Sequence, residues 1–171
     1  MTTTPTKSPT LTASPTPTAT INPSATIESS THADSPHGNA IHSGDPVSYT
    51  VKITNTIGVN LSNTKLTVTM PNNGNYISGS GNPPPLNTSA EFQAAAAAQP
   101  FAGQVTWQVG TLQVGQSFTA HFTVQATAAY VVSRTPLPLQ VTSDQYNGTV
   151  TPPVSVTGTT VWLPYILGTP Q

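Results

Sequence analysis

The stretch PVSYTVKIT, residues 46–54, alternates strictly: Val47, Tyr49, Val51 and Ile53 are apolar, and Ser48, Thr50, Lys52 and Thr54 are polar. Successive side chains of an extended chain point to opposite faces, so a period of two describes a strand with one face in a core and the other in water. The same period recurs down the chain. It is carried by Leu66, Val68 and Met70, by Val105, Trp107 and Val109, and by Phe118, Ala120, Phe122, Val124 and Ala126. Leu137, Leu139 and Val141 follow, then Val154, Val156, Val161 and Leu163, with an earlier strand expected around SATIESS. The runs are rich in β-branched residues, which pack well on a pleated surface. Turn signals separate them: NTIGVN, PNNGN, SGSGNPPP, VGQS and YNGT, the last with Asn147-Gly148 expected as a two-residue hairpin turn. About seven short strands at this spacing predict an all-β, antiparallel sandwich.

Within that frame VTWQVGTLQVGQS, residues 105–117, reads as a corner. Val105, Trp107 and Val109 are expected to face inward, Gly110 to break the strand, Leu112 to plug the corner, and Gly115 to turn the chain into a partner strand on the opposite sheet. NTSAEFQAAAAAQP departs from the β pattern. Thr88 and Glu91 stand at capping-box spacing, an alanine run follows, and Pro100 ends it, which predicts one short helix over an end of the sandwich; an alanine-rich loop is the alternative.

Residues 1–23 are a different polymer. MTTTPTKSPTLTASPTPTAT is nearly all Thr, Pro, Ser and Ala. Proline removes donors and fixes φ, and the apolar side chains are too few to offset the entropy of ordering, so an extended linker or stalk is expected. The sandwich is assigned to residues 24–163 and a C-terminal tail to 164–171.

Composition narrows the function. Charged residues make up 5% of the 171, with a net charge of −1, against roughly 25% in an average soluble protein. Four Lys and Arg cannot supply the basic footprint of a nucleic-acid binder. There is no cysteine, hence no disulfide and no thiolate chemistry. No apolar run reaches the ~20 residues of a membrane span. The N-terminus has no apolar stretch of the kind a secretory signal carries, so an exported form is expected to be a piece or a processed product of a longer chain. A neutral Thr/Ser/Asn/Gln surface suits an extracellular or cell-surface module.

These residues resemble a known family. SGDPVSYTVKITNTIG, NTKLTVTMPNN and GQVTWQVGTLQVGQSFTAHFTVQATA are similar to DUF11, a bacterial and archaeal cell-surface repeat. The matches are Gly44, Asp45, Val47, Tyr49, Thr50, Val51, Ile53, Asn55, Met70, Pro71, Trp107, Gly110, Leu112, Gly115 and Ser117, and the likeness covers roughly residues 25–160. The sequence departs from the family where NTIG replaces NTG, where Thr69 replaces an aspartate, and where the 72–104 segment is longer. The resemblance implies an immunoglobulin-like sandwich in cell-wall and adhesin-like proteins, and no catalysis. The Thr/Pro stalk and the VWLPYIL ending fit that setting.

No residue is assigned a catalytic, cofactor-binding or metal-ligating role from sequence. The carboxylates Glu28, Asp34, Asp45, Glu91 and Asp144 are scattered, where a glycosidase needs a converging pair. His32, His37 and His42 with Asp34 and Asp45 match no ligand spacing and read as a polar loop; His121 is expected to face solvent. Tyr76, Phe101, Tyr130, Tyr146, Trp162 and Tyr165 lie near loops or termini, and a flat row of them would suit a surface glycan, while sealing sandwich ends is the plainer role. Asn60, Asn87 and Asn147 begin N-glycosylation sequons. The expected function is a non-catalytic spacer and protein–protein contact unit. Two alternatives stay open: self-association into a surface filament by strand addition, and carbohydrate binding.

Overall fold

The computed structural model describes residues 27–86 and 103–157. The stalk, the expected helix with Glu91, the C-terminal tail, and the aromatics Phe101, Trp162 and Tyr165 lie outside the described residues.

Two sheets stack face to face. One has the order β11-β1-β3-β7-β5 and the other β10-β9-β4-β6, with a two-stranded ribbon of β2 and β8 beside them. The strands are β1 (Glu28–Asp34), β2 (Ala40–Ile41), β3 (Pro46–Thr54), β4 (Leu61–Thr69), β5 (Gly74–Tyr76) and β6 (Gln104–Leu112). They continue with β7 (Ser117–Ala126), β8 (Tyr130–Val131), β9 (Leu139–Thr142), β10 (Asn147–Val150) and β11 (Val154–Thr157), with a 3-10 turn at Val132–Arg134. The expected all-β sandwich is therefore the fold, with eleven described strands where about seven were read. The additions are mostly short strands of two to four residues, too brief to show a period. β1-β3-β7 facing β9-β4 has the order of the A-B-E and F-C strands of an immunoglobulin-like sandwich.

Among the described residues most of the alternating positions face inward as expected, with Phe118, Val109 and Val156 half-buried; Val161 and Leu163 lie outside the described residues. Val47, Tyr49, Val51 and Ile53 are buried, as are Leu66, Val68 and Met70 and, from the later strands, Ala120, Phe122, Val124, Leu137, Leu139 and Val141. Trp107 has no exposed surface. Its ring lies 5.6 Å from Phe122, which stacks on Tyr49 at 5.5 Å, and its Nε1 donates to the Pro83 carbonyl at 2.8 Å.

Three local expectations are corrected. Gly110 does not end the strand, because β6 runs on to Leu112. Lys65 pairs with Gln108 but Thr64 pairs with Gly110, so Val109 is an extra residue in a β-bulge. A φ of +80° at Gly110 absorbs the bulge, which resets the alternation: Val109 is half-buried and Leu112 buried. Asn147-Gly148 is not a turn but the start of β10, paired with Thr142 and Val141. The turn is made by Ser143–Tyr146, whose Ser143 Oγ accepts from the amides of Gln145 and Tyr146 at 3.2 and 2.9 Å. A Cβ at residue 148 would meet the end of the Tyr146 ring, its hydroxyl and Cζ, so a larger residue there displaces that ring. The strand read around SATIESS extends through Asp34, with Ile27, Thr31 and Ala33 inward; small and polar inward residues hide its period.

Among the described strands all pairs in the two sheets are antiparallel except one. β1 and β11 run parallel, with Thr31 opposite Val154 and Asp34 opposite Thr157. The first described strand therefore begins at one pole, at Glu28, and the last ends at the other, at Thr157; these are called the entry and exit poles. Seven residues of β1 separate these poles by about 20 Å.

Candidate functional site

The entry pole is closed by a buried amide. Asn55 follows β3 and has no exposed surface. Its Nδ2 donates to the carbonyls of Val59 and Leu112, both at 2.8 Å, and its Oδ1 accepts from the Ile57 amide at 3.1 Å. Its own backbone accepts from Gly115 at 2.8 Å and donates to Gln116 at 3.0 Å. One side chain thus satisfies three backbone groups where β6 crosses to β7 in the opposite sheet, leaving no donor or acceptor of the amide unused in the corner.

The exit pole is polar and carries His37 and His42. Between β1 and β3 the chain makes two tight turns, closed by Gly38 N–H to Ser35 and by Asp45 N–H to His42. β2 pairs with β8, and Gly44 and Asp45 are tied to Ala126 at the end of β7 by bonds of 2.8 and 2.9 Å. On these anchored turns His37, His42 and Asp45 converge, with one ligand atom from each lying within 4.8 Å of the others. His37 Nδ1 donates to Asp45 Oδ2 at 2.8 Å, and His42 Nδ1 lies 3.5 Å from the same oxygen. The two imidazoles meet edge to face at 4.5 Å. Asp45 Oδ2 also accepts the His42 amide at 2.8 Å. That amide holds the Asp45 carboxyl below the usual carboxylate range, with the His37 bond adding to it against a push upward from desolvation. The spacing of these residues in sequence did not show this convergence.

The other histidines stand apart from that group. His32 and Asp34 lie on the outer face of β1 rather than in a loop. His32 Nδ1 hydrogen-bonds with Ser155 Oγ, and His32 Nε2 with Thr157 Oγ1, each at 3.0 Å. Thr157 Oγ1 also donates to Asp34 Oδ1. This polar ladder fastens β11 to β1, and the Thr157 hydroxyl, ahead of His32, lowers the Asp34 pKa. His121 is exposed as expected and bonds with Thr50 Oγ1 at 2.9 Å across β3 and β7.

The carboxylates Asp34, Asp45 and Asp144 each bond locally, Asp144 to Asn63 at 2.7 Å. Of the aromatics, Tyr76 is buried rather than exposed, and its hydroxyl accepts the Gly81 amide at 3.0 Å. Tyr130 and Tyr146 are half-buried against the core. Tyr130 meets the Tyr49 hydroxyl at 3.2 Å, and burial raises both phenol pKa values. Asn60 and Asn147 are exposed. Beside the exit pole Met70, Pro71, Arg134, Pro136 and Pro138 line an open groove of about 350 Å³.

No family model matches the chain. No curated protein matches it either. Among solved structures it is similar to a GH20 exo-β-N-acetylglucosaminidase from Vibrio harveyi in complex with N-acetylglucosamine, at 9% identity and a TM-score of 0.47. The alignment covers 77% of this chain and 19% of the enzyme. An inactive mutant of the same enzyme aligns with the same values. A likeness at that distance bears on neither activity nor ligand.

No helix among the described residues is long and apolar enough to cross a membrane.

Proposed function

We propose that this chain is a non-catalytic structural module of an extracellular surface protein, acting as a spacer and a protein–protein contact unit. The observation that carries the reading is the parallel pairing of β1 with β11. A sandwich whose first described strand begins at one pole and whose last ends at the other is laid out for modules strung end to end. Tension applied through its ends pulls β1 and β11 in opposite directions along their shared axis, so their hydrogen bonds are loaded together in shear. The neutral Thr/Ser/Asn surface and the exposed sequon asparagines Asn60 and Asn147 support the extracellular setting. The resemblance to DUF11 repeats supports it too, since Asp45, Asn55, Gly110 and Gly115 all occupy turn, corner or bulge positions.

Single-molecule stretching tests the spacer role. Pulled through residues 1 and 171, the sandwich is expected to hold until one cooperative event releases roughly 400 Å of chain. Pulled through cysteines replacing Thr54 and Ser117, which are register partners at one end of β3–β7, the pair peels one bond at a time and yields at lower force. Equal forces in both geometries would remove the mechanical reading.

A second reading, strand addition into a filament, is favoured by the edges. Among the described strands β10 (NGTV) and β11 (VSVT) border their sheets without a charged residue, and charge on an edge is the usual guard against pairing. It predicts growth of light scattering with concentration, abolished by Thr149→Lys. A monodisperse monomer at all concentrations would exclude spontaneous assembly.

A further inference from the structure

We propose that His37, His42 and Asp45 form a binding site for a divalent transition-metal ion of the zinc, copper or nickel class at the exit pole. Two imidazoles and one carboxylate are the donor set that such borderline ions take, whereas calcium and magnesium select oxygen alone. The geometry suits an ion of this size. Metal–nitrogen and metal–oxygen bonds of about 2.0–2.2 Å place neighbouring ligand atoms roughly 2.9 Å apart in an octahedral site and 3.3 Å in a tetrahedral one. The carboxylate oxygen stands 2.8 Å from His37 Nδ1 and 3.5 Å from His42 Nδ1, close to both values, and the three ligand atoms lie within 4.8 Å of one another, so the two exposed rings turn inward to close round an ion.

The site is built rather than accidental in two respects. Asp45 is held in place by the His42 amide, by its own amide bond to His42, and by its carbonyl's bond from Ala126. Only the histidine side chains need to adjust, and they are 50% and 65% exposed, so they turn at little cost. On uptake the proton that His37 Nδ1 donates to Asp45 shifts to the ring's other nitrogen, Nε2, and the metal takes its place between nitrogen and oxygen. Three protein donors leave a fourth position open to water or to a donor from a neighbouring molecule. That position lies at the pole where β11 ends, which, on the spacer reading proposed above, is the pole a following module faces.

Isothermal titration of the full chain with Zn2+, Ni2+ and Cu2+, each alone, tests the assignment. One ion per chain is expected, with copper held most tightly. His37→Ala and His42→Ala are each expected to weaken binding at least tenfold, while His32→Ala and His121→Ala bind as the parent does. Both ligand histidines are exposed, so their loss leaves the fold intact, and far-UV circular dichroism of each variant verifies this. A metal-induced rise in melting temperature that vanishes in the His37→Ala/His42→Ala double variant gives the same answer by a second readout. Absence of binding overturns the proposal. So does binding that survives the double variant or is lost on His32→Ala alone.

Discussion

The two poles of the sandwich are built on opposite plans. At the entry pole one buried amide, Asn55, satisfies three backbone groups and locks the crossing from β6 to β7. At the exit pole short turns hold exposed imidazoles against one carboxylate, and a hydroxyl–imidazole ladder ties down the last described strand. The first arrangement uses a fully buried amide to keep the fold unique, and its bonds to Leu112 and Ile57 are shielded from water. The second leaves its polar groups within reach of solvent, where each contributes little to stability and stays available to a ligand. A pole that must not open and a pole that meets something else need different chemistry, and this chain separates them by the length of a strand.

Substitutions sharpen that contrast. The largest effect is expected for Trp107→Ala, between the poles, which empties the centre of the aromatic cluster and frees the Pro83 carbonyl. It should cost about 3–5 kcal/mol in denaturant unfolding. Asn55→Ala, at the entry pole, strands the Val59 and Leu112 carbonyls and the Ile57 amide and should cost about 2–4 kcal/mol. Gly110→Ala meets no neighbour within 4 Å, so its cost is the left-handed backbone alone, about 1–2 kcal/mol. A smaller and opposite effect is expected at Thr64, whose hydroxyl is buried without a partner. Thr64→Val should stabilise by about 1 kcal/mol, measured as a raised denaturation midpoint. If Asn55→Ala costs no more than a surface change, the account of the entry pole is broken.

The exit pole should reveal itself through pH instead. Asp34 and Asp45 both have lowered pKa values, so below the unfolded carboxylate value of about 3.9 the unfolded chain binds more protons than the folded one. Their contribution is present above that pH and is lost as acid carries the solution down through their folded pKa values. Melting temperature is expected to fall in that acid window, with a shallower fall in Asp45→Asn. An identical acid profile in that variant would show that the carboxylate does nothing for the pole.

How much of this was legible in the sequence follows the same division. Strands whose inward positions are large and apolar, such as β3 with Val47, Tyr49, Val51 and Ile53, declare themselves by their period. So did the corner, because Trp107, Leu112 and Gly115 are residue types with few other uses in that order. β1 was only partly legible: its buried residues Thr31 and Ala33 give almost no contrast with its outward ones. The bulge at Val109 escaped because nothing in a sequence distinguishes a glycine that ends a strand from one that shifts its register. The Asn147-Gly148 pair misled because both residues are paired within β10, with the end of the Tyr146 ring over Gly148, rather than forming the turn. The histidine group was illegible for a geometric reason. Its members converge only because β2–β8 pairing and the bonds to Ala126 fold two turns against each other, and those contacts reach more than eighty residues along the chain.

The claim on which the rest stands is that β1 and β11 lie side by side and point the same way. The chain has no cysteine, so spin labels on Glu28→Cys and Thr157→Cys report one distance without interference. Electron–electron double resonance on that pair should give a narrow distribution near the ~20 Å that six strand intervals span, lengthened by the label arms. A separation below about 10 Å, as an antiparallel register would produce, would bring the two ends to one pole and contradict the account.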